Sequence, residues 1–178
     1  MALTQVASGL IASVAGSTLT GTQSIPKSTL PTGSVLQAVL GTAVGLTASN
    51  GTYPNVSTRA TVNSLSITPI SSSSKVYVTY SGWWYPYDGS PSDNNQIGQT
   101  GAIYRNSTVI TAAGIWEIQV SAASSYTYYG MQSFVALDSP GTTSAITYSL
   151  QMYGWGGNSS TVVLRETGGI LVAMEIAG

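Results

Sequence analysis

The chain has 178 residues, enough for one domain with a hydrophobic core, and its formal net charge is −1. It contains no histidine, no cysteine, five Lys or Arg and six Asp or Glu, against four Trp, eleven Tyr and one Phe. This composition excludes disulfides and a Ser–His–Asp triad, and it gives no basic patch for nucleic acid. We therefore expect a non-enzymatic binding or structural protein without a cofactor. No stretch approaches the ~18–20 apolar residues that span a bilayer, so we expect no membrane insertion.

Residues 1–33 differ from the rest of the chain, because they are small and polar and include no aromatic residue. Proline fixes φ and lacks an amide donor, so we expect the stretch 25–33, with its two prolines, to be extended. We interpret 1–33 as an attachment or trimerisation segment and 34–178 as the head domain. The candidate docking residues of this segment are Leu3, Val6, Leu10, Val14, Ile25, Pro26 and Leu30.

From residue 34 onward, short runs rich in Val, Ile, Thr and Tyr are divided by Gly, Pro, Asn and Ser clusters, which is typical of β-strands. We predict strands near 34–40, 61–68, 75–84, 99–105, 107–111, 115–121, 130–137, 144–153, 161–166 and 169–176. Short strands without a convincing helix predict an all-β fold, an antiparallel β-sandwich or jelly-roll-like domain. The extended N-terminal docking segment precedes this domain.

Two predicted strands alternate clearly in side-chain type, which assigns their faces. In the last strand the first face carries Ile170, Val172, Met174 and Ile176, and the opposite face carries Leu171, Ala173 and Glu175. In the strand near 144–153, Ile146, Tyr148, Leu150 and Met152 oppose Thr147, Ser149 and Gln151. Glu175 is thus expected on the less apolar face of the last strand, and Lys75 at the start of another strand.

Four stretches carry a resemblance to a known kind of protein. They are Leu30-Pro-Thr-Gly-Ser-Val-Leu-Gln37, Ser66-Ile-Thr-Pro69 followed by Ser71 to Val76, Leu137-Asp-Ser-Pro-Gly-Thr-Thr-Ser-Ala-Ile-Thr-Tyr148, and Met174-Glu-Ile-Ala-Gly178. In this order and spacing they resemble the C-terminal head domains of bacteriophage fibre proteins, especially from phages of aquatic bacteria and cyanobacteria. The similarity covers residues 30–178. It implies a homotrimeric β-sandwich on the virion surface, made in the host cytoplasm.

The resemblance leaves three functions open. Since only about 30 residues precede the head, spanning about 100 Å at most, a short trimeric fibre or knob fits better than a long tail fibre. It would bind other virion proteins, of the tail or capsid, through residues 1–33 and contact the host surface with the head. The alternative is a capsid decoration (cement) protein that stabilises the phage head, and the remote alternative is a polysaccharide depolymerase.

Three aromatic clusters follow predicted strands, where loops commonly carry function. In chain order they lie at Trp83–Tyr87, Tyr126–Tyr129 and Tyr153–Asn158. Flat aromatic faces with Asp and Asn nearby suit a host cell-surface glycan. The candidate receptor-binding residues are Trp83, Trp84, Tyr85, Tyr87, Asp88, Asn94, Tyr126, Tyr128, Trp155 and Asn158. The alternative is that these aromatics are core residues or seal a subunit interface, where aromatics are enriched.

Asp88 and Asp93 are the acids closest together in the 85–95 region. Paired carboxylates could hydrolyse a glycosidic bond, but both lie among turn-forming residues, where Asp normally bonds the local backbone. A Ca²⁺ site that adds Asn94 and Asn95 would lack the EF-hand spacing. We therefore predict no catalytic residue and no metal site.

Overall fold

The computed structural model describes residues 30–43, 47–52, 60–84, 87–88, 96–111, 114–119, 126–127, 130–156 and 161–178. Side chains are described for 30–41, 60–83, 100–111, 130–152 and 169–178. The chain divides into two units, Met1–Leu30 and Pro31–Gly178, and every described strand belongs to the second. No helix within the described ranges is long and apolar enough to cross a membrane.

The described residues of the second unit form thirteen strands in two antiparallel sheets. In chain order the strands are β1 (Val35–Leu40), β2 (Thr42–Ala43), β3 (Thr47–Thr52), β4 (Ala60–Ile67), β5 (Lys75–Trp84), β6 (Tyr87–Asp88), β7 (Gln96–Arg105), β8 (Thr108–Val109), β9 (Gly114–Gln119), β10 (Tyr126–Thr127), β11 (Gly130–Asp138), β12 (Ile146–Gly156) and β13 (Thr161–Ile176). This confirms the predicted all-β class and the antiparallel β-sandwich.

The first sheet is built around the long strand β13 and has the order β10-β6-β13-β5-β11, with β1 and β3 also paired to β13. The second sheet has the order β2-β4-β12-β7-β8, with β9 also paired to β7. The predicted strands 161–166 and 169–176 are one continuous strand, interrupted only by a register shift between Thr167 and Ile170 in its pairing with β5. In the sequence, the glycines at 168 and 169 suggest a break between two strands. In the structure they lie within β13, at the shift of its register with β5.

The core lies between the two sheets and takes one face each of β4, β5, β7, β11, β12 and β13. The first sheet contributes Val76, Val78, Tyr80, Phe134, Ala136, Leu171 and Ala173. The second sheet contributes Val62, Leu65, Ile67, Ile103, Ile146, Tyr148, Leu150 and Met152. The predicted inward face of the strand near 144–153 is therefore confirmed.

The sandwich has two distinct ends, which we call the base and the tip. The base holds the connection from β4 to β5 (68–74), the connection from β11 to β12 (139–145) and the residues that lead into β1. There the Gly33 amide donates to the Ala177 carbonyl over 2.9 Å, and the Ala177 amide donates to the Ser34 carbonyl over 2.9 Å. The tip holds the opposite ends of β5, β11 and β12, which are Trp84, Gly130 and Gly156. Since β5 runs from base to tip, its ten residues separate the two ends by about 30 Å.

Candidate interaction surfaces

The first two aromatic clusters meet at the tip of the first sheet. After β5 ends at Trp84, the short strand β6 pairs with β10, so that Tyr126 lies opposite Asp88 and Thr127 opposite Tyr87. Strand β6 also pairs with the tip half of β13. Tyr87 and Asp88 therefore lie in a strand and not in the loop expected after the strand at 75–84, because the chain returns to the sheet after only two residues. Sequence separation between the clusters hid this pairing.

The third cluster lies in the other sheet at the same end. Trp155 belongs to β12 and is opposite Gly98 of β7. The backbone thus places Trp84, Tyr87, Tyr126 and Trp155 at the tip, in two sheets. Tyr85, Asn94, Tyr128 and Asn158 lie outside the described residues, as do Asp93 and Asn95 of the candidate carboxylate and Ca²⁺ sites.

Trp83 is the one candidate aromatic whose side chain is described. It is 52% exposed and lies opposite Met131 of β11, which is also exposed. Trp83 is therefore on the outer face of the first sheet and not in the core. Of the candidate docking residues, Leu30 is half-buried, and Leu3, Val6, Leu10, Val14, Ile25 and Pro26 lie outside the described residues.

The outer face of β11, β5, β13 and β1 is strongly apolar, and we call it the apolar face. Nine large hydrophobic side chains are exposed among those described, and seven of them are on these four strands. The seven are Val35, Leu40, Trp83, Met131, Val135, Leu137 and Ile170. Their strands are adjacent in the order β11-β5-β13-β1. A contiguous apolar surface of this kind typically marks an interaction site.

Cross-strand register shows that the apolar face is continuous. One row runs from Val135 through Thr79 and Val172 to Leu40. The next row toward the base runs from Leu137 through Tyr77 and Met174 to Ala38. Neighbours in such rows have Cβ atoms about 5 Å apart, so their side chains form one surface.

Glu175 explains why the more apolar side of β13 faces outward. Its side chain is 0% exposed, between the sheets at the base, together with the buried Leu171 and Ala173. Its carboxylate accepts hydrogen bonds from the Ile70 amide at 2.7 Å, the Ser71 amide at 3.3 Å and the Gln37 side-chain amide at 2.5 Å. A buried carboxylate is tolerated when its oxygens are hydrogen-bonded in this way.

The environment of Glu175 also sets its protonation. Burial by itself would raise the pKa of this carboxyl, but the hydrogen bonds, led by that from Gln37, lower the pKa below its ordinary value. Glu175 is therefore charged at neutral pH, and its charge is neutralised by donors rather than by a cation.

Three of the four stretches that carry the fibre-head resemblance converge on Glu175. Gln37 comes from the first stretch, Ser71 from the second and Glu175 from the fourth, and Gln37 also donates to the Thr68 carbonyl at 2.7 Å. These stretches build the base of the sandwich. The motifs that the sequence singles out thus have a structural role at the base.

The remaining stretch contributes Asp138 to a bridge between the sheets. Arg105 Nη1 of β7 donates to both carboxylate oxygens of Asp138 over 2.9 Å, and the Tyr148 hydroxyl of β12 donates to Asp138 Oδ2 over 2.7 Å. Burial, then the hydrogen bond to Asp138, raises the pKa of Tyr148 well above its ordinary value. Gly141, in the connection that follows, has φ 65°, and Asp138 itself accepts hydrogen bonds from Arg105 and Tyr148.

Among the described side chains, no three acids, histidines or cysteines come together in a way that could hold a metal ion. The described part of the fold is therefore that of a sandwich with a buried polar base, an aromatic-bearing tip and an apolar outer face.

No family model matches the chain, and no curated protein matches it. Among solved structures, a chain of the structure of infectious bursal disease virus, Gx strain, is similar with a TM-score of 0.42 and 17% sequence identity. The match covers 82% of this chain and 34% of that chain, so this chain spans about a third of its length.

Proposed function

We propose that this chain is a non-enzymatic structural protein of a bacteriophage particle, acting as a short trimeric fibre or knob. Residues 1–33 attach it to other virion proteins, and the β-sandwich projects outward and contacts a glycan or receptor on the host surface. The fibre-head resemblance of residues 30–178 is the starting point of this proposal. The observation that supports it most is that the chain enters the sandwich at one end, while the aromatic residues lie at the other end.

The separation of base and tip matters because attachment and host contact need different ends of the molecule. The chain passes from residue 30 into the sandwich at the base, where Gly33 bonds Ala177. The strands that bear Trp84, Tyr87, Tyr126 and Trp155 reach the tip, about 30 Å away along β5. A particle bound through residues 1–33 would therefore leave the aromatic-bearing end free. Three copies would present three tips together, so that weak single contacts add up to firm attachment.

Particle association tests the attachment part of the proposal. A variant lacking residues 1–30 should fold, because the unit Pro31–Gly178 contains every described strand, but it should not be incorporated into particles. Quantitative mass spectrometry of purified particles separates the two structural roles. Few copies per particle indicate a fibre or knob, whereas copies in proportion to the shell protein indicate capsid decoration. Absence of the chain from purified particles contradicts both.

Host contact is tested at the tip. Substituting Trp84, Tyr87 and Tyr126 together with Ala should abolish binding of the purified protein to host cells. The control is Val109→Ala, since Val109 is exposed on β8 of the second sheet and lies outside the apolar face. Product release from host polysaccharide, lost in the Asp88→Asn variant, would instead support the depolymerase and contradict a purely structural role.

A further inference from the structure

We propose that copies of this chain pack against one another through the apolar face, the outer surface of β11, β5, β13 and β1. This inference deepens the proposed function and rests on it for the number of copies, three. It assigns the contact to one side of one sheet. It also gives a reason for the outward apolar side chains of β13.

The composition of the apolar face is the first argument. Apart from Lys75 at the base, the described outward residues of its four strands are uncharged. They are Val35, Ala38, Leu40, Tyr77, Thr79, Ser81, Trp83, Met131, Ser133, Val135, Leu137, Ile170, Val172, Met174 and Ile176. Aromatic residues and methionine are enriched in protein interfaces, and charged residues are depleted from their centres. The face has this composition.

The outer face of the second sheet serves as an internal comparison. Its described outward positions on β4 and β12 are small or neutral polar residues, namely Thr61, Ser64, Ser66, Thr147, the buried Ser149 and Gln151, while the buried Ala102 and Tyr104 of β7 lie on the same side. Both sheets share one core and one chain, so general hydrophobicity does not account for the difference. Seven of the nine exposed large hydrophobic side chains described lie on the outside of the first sheet, against Val109 on the second, as expected when the first side is covered.

The near absence of charge favours a second copy over a different partner. In a symmetric contact, a charged residue near the axis approaches its own equivalent, and like charges side by side cost several kcal/mol. The apolar face avoids this, because Lys75 lies at its basal end, where it pairs with Ile176 at the edge of the register. A different charged partner would instead be met by complementary charges, and the described face offers none beyond Lys75.

The size of the face is sufficient for a stable contact. Four adjacent strands about 4.8 Å apart, over the length of β5 from residue 75 to 83, give about 19 by 27 Å, or about 500 Å². Around a threefold axis three such faces together bury about 1,500 Å², which is in the range of a standard specific interface.

The test uses two exposed valines in strands. Val135 is 54% exposed on β11, midway between the base and the tip at one side of the apolar face, and Val109 is 46% exposed on β8 of the second sheet. The wild-type chain, Val135→Asp and Val109→Asp are compared by light scattering after size exclusion and by sedimentation at about 1–50 µM. We expect wild type and Val109→Asp at three times 18.3 kDa. Val135→Asp should weaken association at least about 30-fold and elute as a monomer.

Circular dichroism shows whether Val135→Asp keeps the sandwich. If it does not, Leu40→Asp replaces it, since Leu40 lies at the other side of the same row and is more exposed. A monomeric wild type overturns the inference. So does a wild-type oligomer that survives both Val135→Asp and Leu40→Asp, because the contact then lies elsewhere. Neither result depends on whether the chain occurs in phage particles, which mass spectrometry of particles tests separately.

Discussion

Replacement of Glu175 by Gln is the sharpest test of how the base is held together. The substitution keeps the size of the side chain but removes the charge, and a Gln amide has one acceptor oxygen where the carboxylate has two. If the oxygen stays on the Ile70 and Ser71 amides, the new NH₂ group faces the Gln37 amide donor. Gln37 can turn its own oxygen toward it, but only by giving up its bond to the Thr68 carbonyl.

The cost of Glu175→Gln follows from these bonds. A hydrogen bond to a charged group contributes about 1.5–3 kcal/mol, and the variant loses at least one at a fully buried site. For a chain of this size, that loss lowers the melting temperature by roughly 3–12 °C. Urea unfolding and thermal melts at pH 7, followed by Trp fluorescence, measure the difference. Protein concentration must be fixed, because self-association adds concentration-dependent stability.

The pH dependence of this difference provides an internal control. The pKa of Glu175 is lowered in the folded chain, so its contribution is present above the unfolded pKa of about 4.3 and is lost as pH falls through the folded pKa. The gap between wild type and Glu175→Gln should therefore narrow in acid. Ser66→Ala, an exposed change that removes one bond to a Thr147 hydroxyl, should stay within about 0.5 kcal/mol of wild type. Equal stability of wild type and Glu175→Gln at pH 7, or a gap that does not change with pH, would refute the reasoning.

Three further predictions concern the core and a turn. Gly101→Ala should destabilise by about 1–3 kcal/mol in urea unfolding, because a Cβ there would lie 2.6 Å from Phe134 Cζ. Tyr148→Phe should cost about 1.5–3 kcal/mol at pH 7 through the lost bond to Asp138. Because the folded pKa of Tyr148 is raised, wild-type stability should also fall as pH rises above about 10, and less steeply in the variant. Asn106→Ala should cost about 1–3 kcal/mol, since Asn106 has φ 53° and accepts a bond from a β12 amide.

Each of these has a result that contradicts it. An alanine at position 101 that leaves stability unchanged would mean that the Phe134 ring can move aside. Identical alkaline unfolding of wild type and Tyr148→Phe would mean that this hydroxyl titrates normally. Asn106→Gly separates the cost of backbone strain from the cost of the lost hydrogen bond, because glycine adopts positive φ without strain but lacks the side-chain acceptor. It should therefore be more stable than Asn106→Ala.

Much of the strand pattern could be predicted from the sequence, because β-branched and aromatic runs between Gly, Pro and Asn clusters carry it. The strand at 75–84 agrees with β5 at both ends, and 130–137 agrees with β11 to within one residue. The structure adds Thr47–Thr52, whose sequence TASNGT has low β-propensity, and Tyr126–Thr127, which is only two residues long. Both are strands because of the neighbours they pair with, which local sequence does not contain.

Which face of the last strand points into the core was harder to predict, for a related reason. Alternation assigned its two faces correctly, but both faces carry apolar residues. The face that carries fewer apolar residues is the one that points into the core. What decides the matter is Glu175, whose acceptors are filled by residues more than one hundred positions earlier. A single sequence shows that a carboxylate is present, but it does not show that the fold brings three hydrogen-bond donors to that carboxylate. For the same reason, the apolar face is a property of four strands brought together by the fold, and no single stretch reveals it.

The closeness of Gly33 and Ala177 at the base has a practical consequence for engineering this chain. A tag or cargo fused after Gly178 would emerge beside the point where residues 31–34 run into the sandwich. On the proposed attachment through residues 1–33, bulky cargo at this end would hinder binding to the particle and leave the aromatic-bearing tip uncovered. A fused reporter should then reduce incorporation into particles more than it reduces binding to cells.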